Sequence, residues 1–198
     1  MSKLCFVDLE TTGLDHYRHC PWQIGMVVED GRGQIEFHLK FQPLPQADIT
    51  LEALKIGGLT TEEFAKLPTA KEAKAKLETF LGQLVDKFDK TDKLWFIGYN
   101  AQFDYAMLRS FFERQADQYF ASWFWHPPID VMGMAAQRVM LTEKRGQMAN
   151  FKLRSVAEHF GEELLPDPSA IHDALEDVRM TQRLFHVLCK LNSAGGGG

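Results

Sequence analysis

Cysteine is scarce in this sequence, and long apolar runs are absent from it. Three cysteines (Cys5, Cys20 and Cys189) stand far apart among 198 residues. An odd and scattered set of thiols argues against a disulfide framework and against a four-thiolate zinc site, so a reducing, cytoplasmic environment is expected. No stretch approaches the roughly 18 consecutive apolar residues of a membrane span, and the apolar run after Met1 is too short for a secretory signal. We therefore expect a chain without membrane association, folded around an apolar core.

Excess positive charge is also lacking. The chain has 27 acidic and 22 basic residues, for a net charge of −5, which argues against a protein that coats nucleic acid by bulk charge. A local basic strip does occur between Val131 and Arg154, where five basic residues accompany one acid. A solvated surface would explain any one of these bases equally well. The length favours a single domain, which we assign to residues 1–192, followed by a flexible glycine-rich tail at 193–198.

Short apolar and alternating segments predict a mixed sheet. The apolar run Leu4–Leu9 is typical of a central strand, whereas Gln34–Phe41 alternates strictly and indicates a half-buried antiparallel strand. The turn Asp30–Gly33 joins the latter to a preceding strand, Trp22–Glu29, in a hairpin. Two more strands are predicted at Leu94–Ile97 and Trp123–Trp125, and helices at Thr69–Phe88, Gln102–Gln115, Val131–Leu141, Leu153–Phe160 and Ala170–Leu191. This order predicts an α/β fold whose mixed five-stranded sheet begins as an antiparallel meander, continues in βα units and is flanked by helices.

Two acidic residues end the first strand. Asp8 and Glu10 are two positions apart, so both side chains point to the same side of the sheet. They also lie at the carboxyl end of a central strand, which is where open α/β sheets bind ligands. Taken alone, the pair would equally fit two solvated loop acids.

Two further aspartates interrupt apolar helix faces. Asp177 lies on the apolar stripe of the last helix, and Asp104 shares a stripe with Leu108 and Phe111 in the helix after the second central strand. A buried carboxylate is costly unless it is paired or binds a metal. A structural salt bridge would explain either aspartate alone; both of them, together with the strand-end pair, indicate one polyvalent site.

Four carboxylates and no thiolates favour Mg²⁺ or Mn²⁺ over zinc, and they carry enough charge to hold two ions. Two such ions suit in-line displacement at phosphorus. His172 stands near Asp177 in the sequence, and a histidine that titrates near neutrality suits removal of a proton from water. A surface or capping histidine is the alternative for His172.

Three segments in order match a known family: Val7-Asp8-Leu9-Glu10-Thr11-Thr12-Gly13-Leu14, Tyr99-Asn100-Ala101-Gln102-Phe103-Asp104 and His172-Asp173-Ala174-Leu175-Glu176-Asp177. They resemble the three exonuclease motifs of the DEDDh family, the 3′→5′ exonucleases that include polymerase proofreading subunits, oligoribonuclease and ribonuclease T. The resemblance covers most of the chain and implies an RNase H-like fold.

The resemblance also implies residue roles. Asp8 would bridge both metals, Glu10 and Asp177 would complete the site of the water-activating metal, and Asp104 would act on the second metal. His172 would be the general base. The resemblance further implies that four residues contact the substrate: Thr11, Leu14, Asn100 and Phe103. Leu14 and Phe103 would pack against the terminal nucleotide, although Phe103 is equally compatible with a core position.

The chain departs from the family pattern in two places. Tyr99 stands where many members have histidine, and the segment His16–Trp22 is more aromatic and basic than usual, which suggests contact with nucleic acid. His16, His19 and Cys20 lack a fourth ligand at a suitable spacing, so no zinc site is expected there. The aromatic cluster Trp123–Trp125 would suit base stacking, but a core strand is the favoured interpretation.

The sequence thus predicts a metal-dependent 3′→5′ exonuclease that releases nucleoside 5′-monophosphates from a nucleic-acid 3′ end, with single-stranded DNA or a 3′ overhang favoured. An exoribonuclease of the same family is the first alternative. A non-catalytic or partner-dependent nucleic-acid-binding subunit is the second. A polymerase or another nucleic-acid-processing complex is a possible partner.

Overall fold

The computed structural model describes residues 2–50, 60–142, 148, 150–161 and 173–194. The strands are β1 (Leu4–Thr11), β2 (Pro21–Glu29), β3 (Gln34–Lys40), β4 (Trp95–Gly98) and β5 (Ile129–Asp130). The helices are α1 (Thr61–Phe64), α2 (Ala70–Gly82), α3 (Ala101–Glu113), α4 (Val131–Leu141), α5 (Leu153–Phe160) and α6 (Ala174–Ala194), with a short 3₁₀ turn at Phe120–Ser122.

The five strands form one mixed sheet in the order β3-β2-β1-β4-β5. β1 pairs antiparallel with β2, and β2 pairs antiparallel with β3, which confirms the predicted meander. β4 joins the other side of β1 in parallel, with Leu4 opposite Trp95 and Phe6 opposite Ile97. β1 therefore lies in the middle of the sheet, where its apolar run predicted it; β4 pairs with Leu4–Phe6, and among the described strands the carboxyl end of β1 pairs with β2 alone.

The fifth strand is not where the sequence predicted it. Ile129 and Asp130 pair in parallel with the end of β4, whereas Trp123–Trp125 contributes only an isolated bridge between Leu94 and Phe124. The prediction of burial was correct, because Trp123 and Phe124 are almost fully buried. Their apolar character reflects packing under the 3₁₀ turn rather than strand pairing.

Helices cover both faces of the sheet. On one face, Leu77 of α2 and Phe111 of α3 pack with Cys5 and Val7 of β1. On the other face, Leu184 of α6 packs with Phe6 of β1, together with residues of α4 and α5. The alternation along β1 thus sends odd-numbered side chains toward α2 and α3 and even-numbered ones toward α6.

Local signals fix where some helices begin and end. Thr69 and Glu72 form a capping box, in which the Glu72 amide donates to the Thr69 hydroxyl and the Glu72 carboxylate accepts from the Thr69 amide. The predicted start of α2 is therefore confirmed, but the helix ends at Gly82, earlier than predicted. The last helix continues through Ala194, and residues 195–198 of the predicted tail lie outside the described part of the chain. In that part, no helix has the length and apolar character needed to cross a bilayer.

Candidate metal-dependent active site

Carboxylates from β1 and α6 converge at the carboxyl end of β1. Asp8 and Glu10 lie on the same side of β1 as Phe6, the side that faces α6, and Asp177 lies in the first turns of that helix. One carboxylate oxygen from each of Asp8, Glu10 and Asp177 lies within 4.8 Å of the other two. The structure therefore brings together three of the four predicted metal ligands, with their side chains partly accessible to solvent.

The fourth predicted carboxylate reaches the site from the opposite face of the sheet. Asp104 lies in the first turn of α3, is only 3% exposed, and accepts a hydrogen bond from the Leu9 backbone amide at 3.1 Å. Leu9 stands between Asp8 and Glu10, so this bond ties α3 to the strand end. The apolar stripe of Asp104, Leu108 and Phe111 is buried as predicted.

The start of α6 is fixed by Asp173, which the sequence analysis gave no role. Its carboxylate accepts from the Leu175 amide at 3.0 Å, and its backbone oxygen accepts from the Asp177 amide at 3.0 Å. The other carboxylate oxygen accepts from the side-chain amide of buried Gln23 at 2.7 Å. Asp173 therefore ties the first turn of α6, which holds Asp177, to strand β2.

Close backbone packing reinforces this anchor. A Cβ atom on Gly25 would lie 2.6 Å from the Ala174 carbonyl carbon and 2.7 Å from the Leu175 amide nitrogen. Only a residue without a side chain allows α6 to approach β2 this closely. The absence of a side chain at position 25 is thus part of how the sequence places Asp177 beside Asp8.

The β4–α3 connection contributes a further fixed point. Asn100 precedes α3 in the left-handed region (φ 61°, ψ 44°), which asparagine tolerates better than most residues. Its backbone amide donates to the Asp130 carboxylate at 2.9 Å, and the same oxygen accepts from the Met132 amide at 3.0 Å. Asp130 thereby joins the start of α3 to the start of α4.

The electrostatics of the cluster favour a bound cation. Burial raises the pKa of Asp8 well above its usual range, and the carboxylates of Asp104, Asp177 and Glu10 raise it further. Burial likewise raises the pKa of Asp104, against the lowering effect of the Leu9 hydrogen bond. Without a cation, ionised carboxylates therefore repel one another here.

Asp173 behaves differently. Burial alone would raise its pKa, but the Gln23 hydrogen bond and the nearby His38 and Lys40 hold the pKa below the ordinary value. Asp173 is therefore ionised at neutral pH and serves as a structural anion rather than as a member of the carboxylate cluster of Asp8, Glu10 and Asp177.

The residues predicted to contact substrate occupy different environments. Leu14 is 83% exposed, whereas Phe103 is partly buried and packs against the core. The Thr11 hydroxyl donates to the Gly13 carbonyl at 2.8 Å, and Asn100 is exposed at the start of α3. His172, the predicted general base, lies outside the described residues. The catalytic and substrate-binding roles of these residues stay predictions.

Three residues that organise the site carry no role in the sequence-based prediction: Gln23, Asp130 and Asp173. Gln23 is a polar side chain in an otherwise apolar strand, which is a signal of a buried hydrogen bond. Asp130 directly precedes a helix, and Asp173 stands one residue before the helical stripe, both of which are typical capping positions.

The donor set fits hard divalent cations. The three clustered residues offer only carboxylate oxygens, and no thiolate or imidazole belongs to the cluster in the described part of the chain. Such oxygen-only donors suit Mg²⁺ or Mn²⁺, and a bound cation would offset the mutual repulsion of the carboxylates that helps to raise the pKa of Asp8.

Solved structures share this fold. E. coli exonuclease I in complex with a dT13 oligonucleotide has a TM-score of 0.74 and 21% identity, over 98% of this chain and 42% of that one. Exonuclease I from Methylocaldum szegediense has a TM-score of 0.73 and 20% identity, over 98% and 42%. Cell-death related nuclease 4 (CRN-4) has a TM-score of 0.72 and 15% identity, over 98% and 65%. The chain thus spans less than half the length of the exonuclease I structures that it matches.

No match was found among curated protein sequences. The RNase_T family, described as an exonuclease family, matches residues 5–185, which include the β1 carboxylates, the α3 aspartate and Asp177. The fold is RNase H-like, as the motifs implied, and the match covers most of the chain. This chain therefore belongs to the RNase_T exonuclease family, with a DEDDh-type domain.

Proposed function

We propose that this chain hydrolyses phosphodiester bonds from the 3′ end of a nucleic acid and releases nucleoside 5′-monophosphates. The observation that carries the proposal is the convergence of Asp8, Glu10 and Asp177 within 4.8 Å of one another, at the carboxyl end of the central strand. Family membership supports the reaction class. The complexes of E. coli exonuclease I with dT13 and dA16 oligonucleotides support a single-stranded DNA substrate.

Four carboxylates would hold two divalent ions: Asp8, Glu10, Asp104 and Asp177. Such ions, when bound, lower the pKa of an attacking water and stabilise negative charge at phosphorus. Asp173, through its bonds to α6 and β2, would hold Asp177 in position for binding. Mg²⁺ or Mn²⁺ fits the oxygen donors, and the zinc-bound form described for E. coli exonuclease I makes zinc a further ion to compare.

The other predicted residues would serve the substrate. His172 would accept the proton of the attacking water. Leu14, exposed shortly after the end of β1, would pack against the terminal base without reading its identity, and Phe103 and Thr11 would contact the same nucleotide. Asn100, exposed at the start of α3, would contact the substrate as well. A cytoplasmic setting and a polymerase or similar complex as partner stay predictions.

The test is a comparison of matched single-stranded DNA, duplex DNA and RNA oligonucleotides, each labelled at the 5′ end and incubated with Mn²⁺ or Mg²⁺. We expect a ladder of shortened labelled products and free 5′-mononucleotides, abolished by EDTA and by Asp8→Asn. Glu62→Gln, which removes an exposed carboxylate of α1 outside the cluster, is the matched control.

The substrates degraded decide between DNA and RNA. Faster digestion of RNA would replace the DNA preference by the exoribonuclease alternative. Cleavage that starts at the 5′ end or inside the strand would overturn the 3′→5′ proposal. Binding without chelator-sensitive cleavage would favour a non-catalytic subunit.

A further inference from the structure

The β1–β2 loop, residues 12–20, holds two large side chains in solvent directly after the catalytic strand. Leu14 is 83% exposed and Tyr17 is 78% exposed. Leu14 already has an expected role at the terminal nucleotide, but Tyr17 has none. A large exposed aromatic beside a proposed active site is typical of a surface that contacts a ligand.

The loop is braced rather than loose. The Ser110 hydroxyl of α3 donates to the His16 carbonyl at 2.6 Å, and the Arg114 guanidinium donates to the His19 carbonyl at 2.5 Å. The His19 ring packs so closely on Gly13 that a Cβ there would lie 2.3 Å from it. Tyr17 is thus presented on a preorganised loop, which lowers the ordering cost of binding.

A groove of about 320 Å³ separates this loop from the segment that follows the 3₁₀ turn. His16 and Tyr17 form one wall, with ring centroids 4.1 Å apart. From the segment after the 3₁₀ turn, the exposed ring of His126 lines the groove and packs, with centroids 5.5 Å apart, on Tyr105, which is only 4% exposed. The groove therefore offers aromatic surface on two sides.

The groove runs along α3 away from the carboxylate cluster. Gln102, which lines it, lies in the same first turn as Asp104, whereas Glu113 lies at the last residue of the helix. Eleven residues of α-helix span roughly 16 Å. Two positions apart on an α-helix, Gln102 and Asp104 point to opposite sides of α3, so the groove meets the proposed active site only through the β1–β2 loop, whose residues His16 and Tyr17 line it.

Little free positive charge lines the groove. Among the described residues that line it, Arg109 is the only lysine or arginine, and its guanidinium pairs with Glu113 at 2.8 Å. Phosphate contacts alone therefore give a weak basis for binding there. Aromatic stacking on bases is the interaction that the lining favours, and it requires bases whose faces are unpaired.

We propose that the β1–β2 loop and this groove bind the single-stranded part of the substrate next to its terminal nucleotide, with Tyr17 stacking on a base. This proposal deepens the proposed function and rests on it, since single-stranded nucleic acid is assigned to this surface because the β1–β2 loop continues directly from the strand end that carries Asp8 and Glu10. It assigns the occupant as single-stranded nucleic acid of any sequence, because every base has a face to stack.

The experiment compares a long and a minimal substrate. Specificity constants are measured for dodecathymidylate and for the p-nitrophenyl ester of thymidine 5′-monophosphate, which has no neighbouring nucleotide. We expect Tyr17→Ala to reduce the ratio of the two constants about fivefold to 150-fold, as loss of one base–aromatic stack predicts. Tyr17→Phe should restore the ratio. Tyr119→Ala, which removes another tyrosine that is 71% exposed, is the matched control.

Binding of fluorescein-labelled dodecathymidylate in EDTA, followed by fluorescence anisotropy, tests the same surface without turnover. We expect Tyr17→Ala to weaken the affinity for the labelled oligonucleotide by a similar factor, and Tyr119→Ala to leave this affinity unchanged. A ratio and an affinity within twofold of the unmodified protein would overturn the proposal. If the unmodified protein cleaves neither substrate, the proposed function fails, and the anisotropy comparison still decides whether Tyr17 binds single strands.

Discussion

Asp8→Asn should stabilise the metal-free protein. The substitution keeps the size of the side chain and removes one negative charge from a cluster in which Glu10 and Asp177 lie within 4.8 Å. At that distance two unit charges repel by about 3.5 kcal/mol for an effective dielectric constant of about 20. The raised pKa of Asp8 means that protonation already relieves part of this repulsion. We therefore expect a gain of about 1–3 kcal/mol in the free energy of unfolding at pH 8.

The gain should depend on pH in a defined direction. Because the pKa of Asp8 is raised in the folded state, the folded protein holds this proton more tightly than the unfolded chain does. The unmodified protein should therefore lose stability as the pH rises from about 4, the ordinary aspartate value, through the raised pKa. Asparagine does not titrate, so the difference between variant and parent should be small at pH 4 and widen toward pH 8.

Thermal unfolding in EDTA at several pH values measures this effect. For a domain of this size, 1–3 kcal/mol corresponds to a rise in Tm of about 2–10 °C. Mn²⁺ at a thousand times its Kd should reverse the order, because it stabilises the parent by about 4.1 kcal/mol and the variant loses this binding. Glu62→Gln should change Tm little under every condition. A variant that melts at or below the parent in EDTA at pH 8 would refute the reasoning.

Three further predictions concern His172 as general base, the packing of α6 against β2, and the apolar core. His172→Ala should lower kcat by about 10²–10⁴-fold with little change in Mn²⁺ affinity. If the rate of the unmodified protein did not change between pH 6 and pH 8, His172 would have no part in the mechanism. Gly25→Ala should lower the free energy of unfolding, measured in urea, by about 1–3 kcal/mol, because the new Cβ atom would lie 2.6 Å from the Ala174 carbonyl. The variant should also need more Mn²⁺ for half-maximal activity. If neither quantity changed, the packing argument would be contradicted. Phe111→Ala, at a site 1% exposed, should lower the free energy of unfolding by about 3–5 kcal/mol, whereas Phe88→Ala, at a site 85% exposed, should lower it little. Equal losses for the two variants would show that the core is misassigned.

Much of the fold was predictable because its signals are local. The apolar run of β1 reflects burial that neighbouring residues share, and the alternation of Gln34–Lys40 places Phe37 and Leu39 partly buried against the core, although Ile35 is 44% exposed. The capping box at Thr69 is equally local. The fifth strand was missed because the apolar side chains of Trp123 and Phe124 report burial, which a strand and a 3₁₀ turn satisfy alike.

The candidate site divides in the same way. The sequence determined which carboxylates are anomalous, because Asp104 interrupts an apolar stripe and Asp8 and Glu10 share one side of a strand. Only the tertiary structure decided that Asp177 meets them and that Gln23 and Asp173 fix the helix that carries it. The physical reason is that strand and helix periodicity is set by neighbouring residues. The approach of α6 to β2 depends instead on contacts between residues about 150 positions apart, which no local pattern encodes.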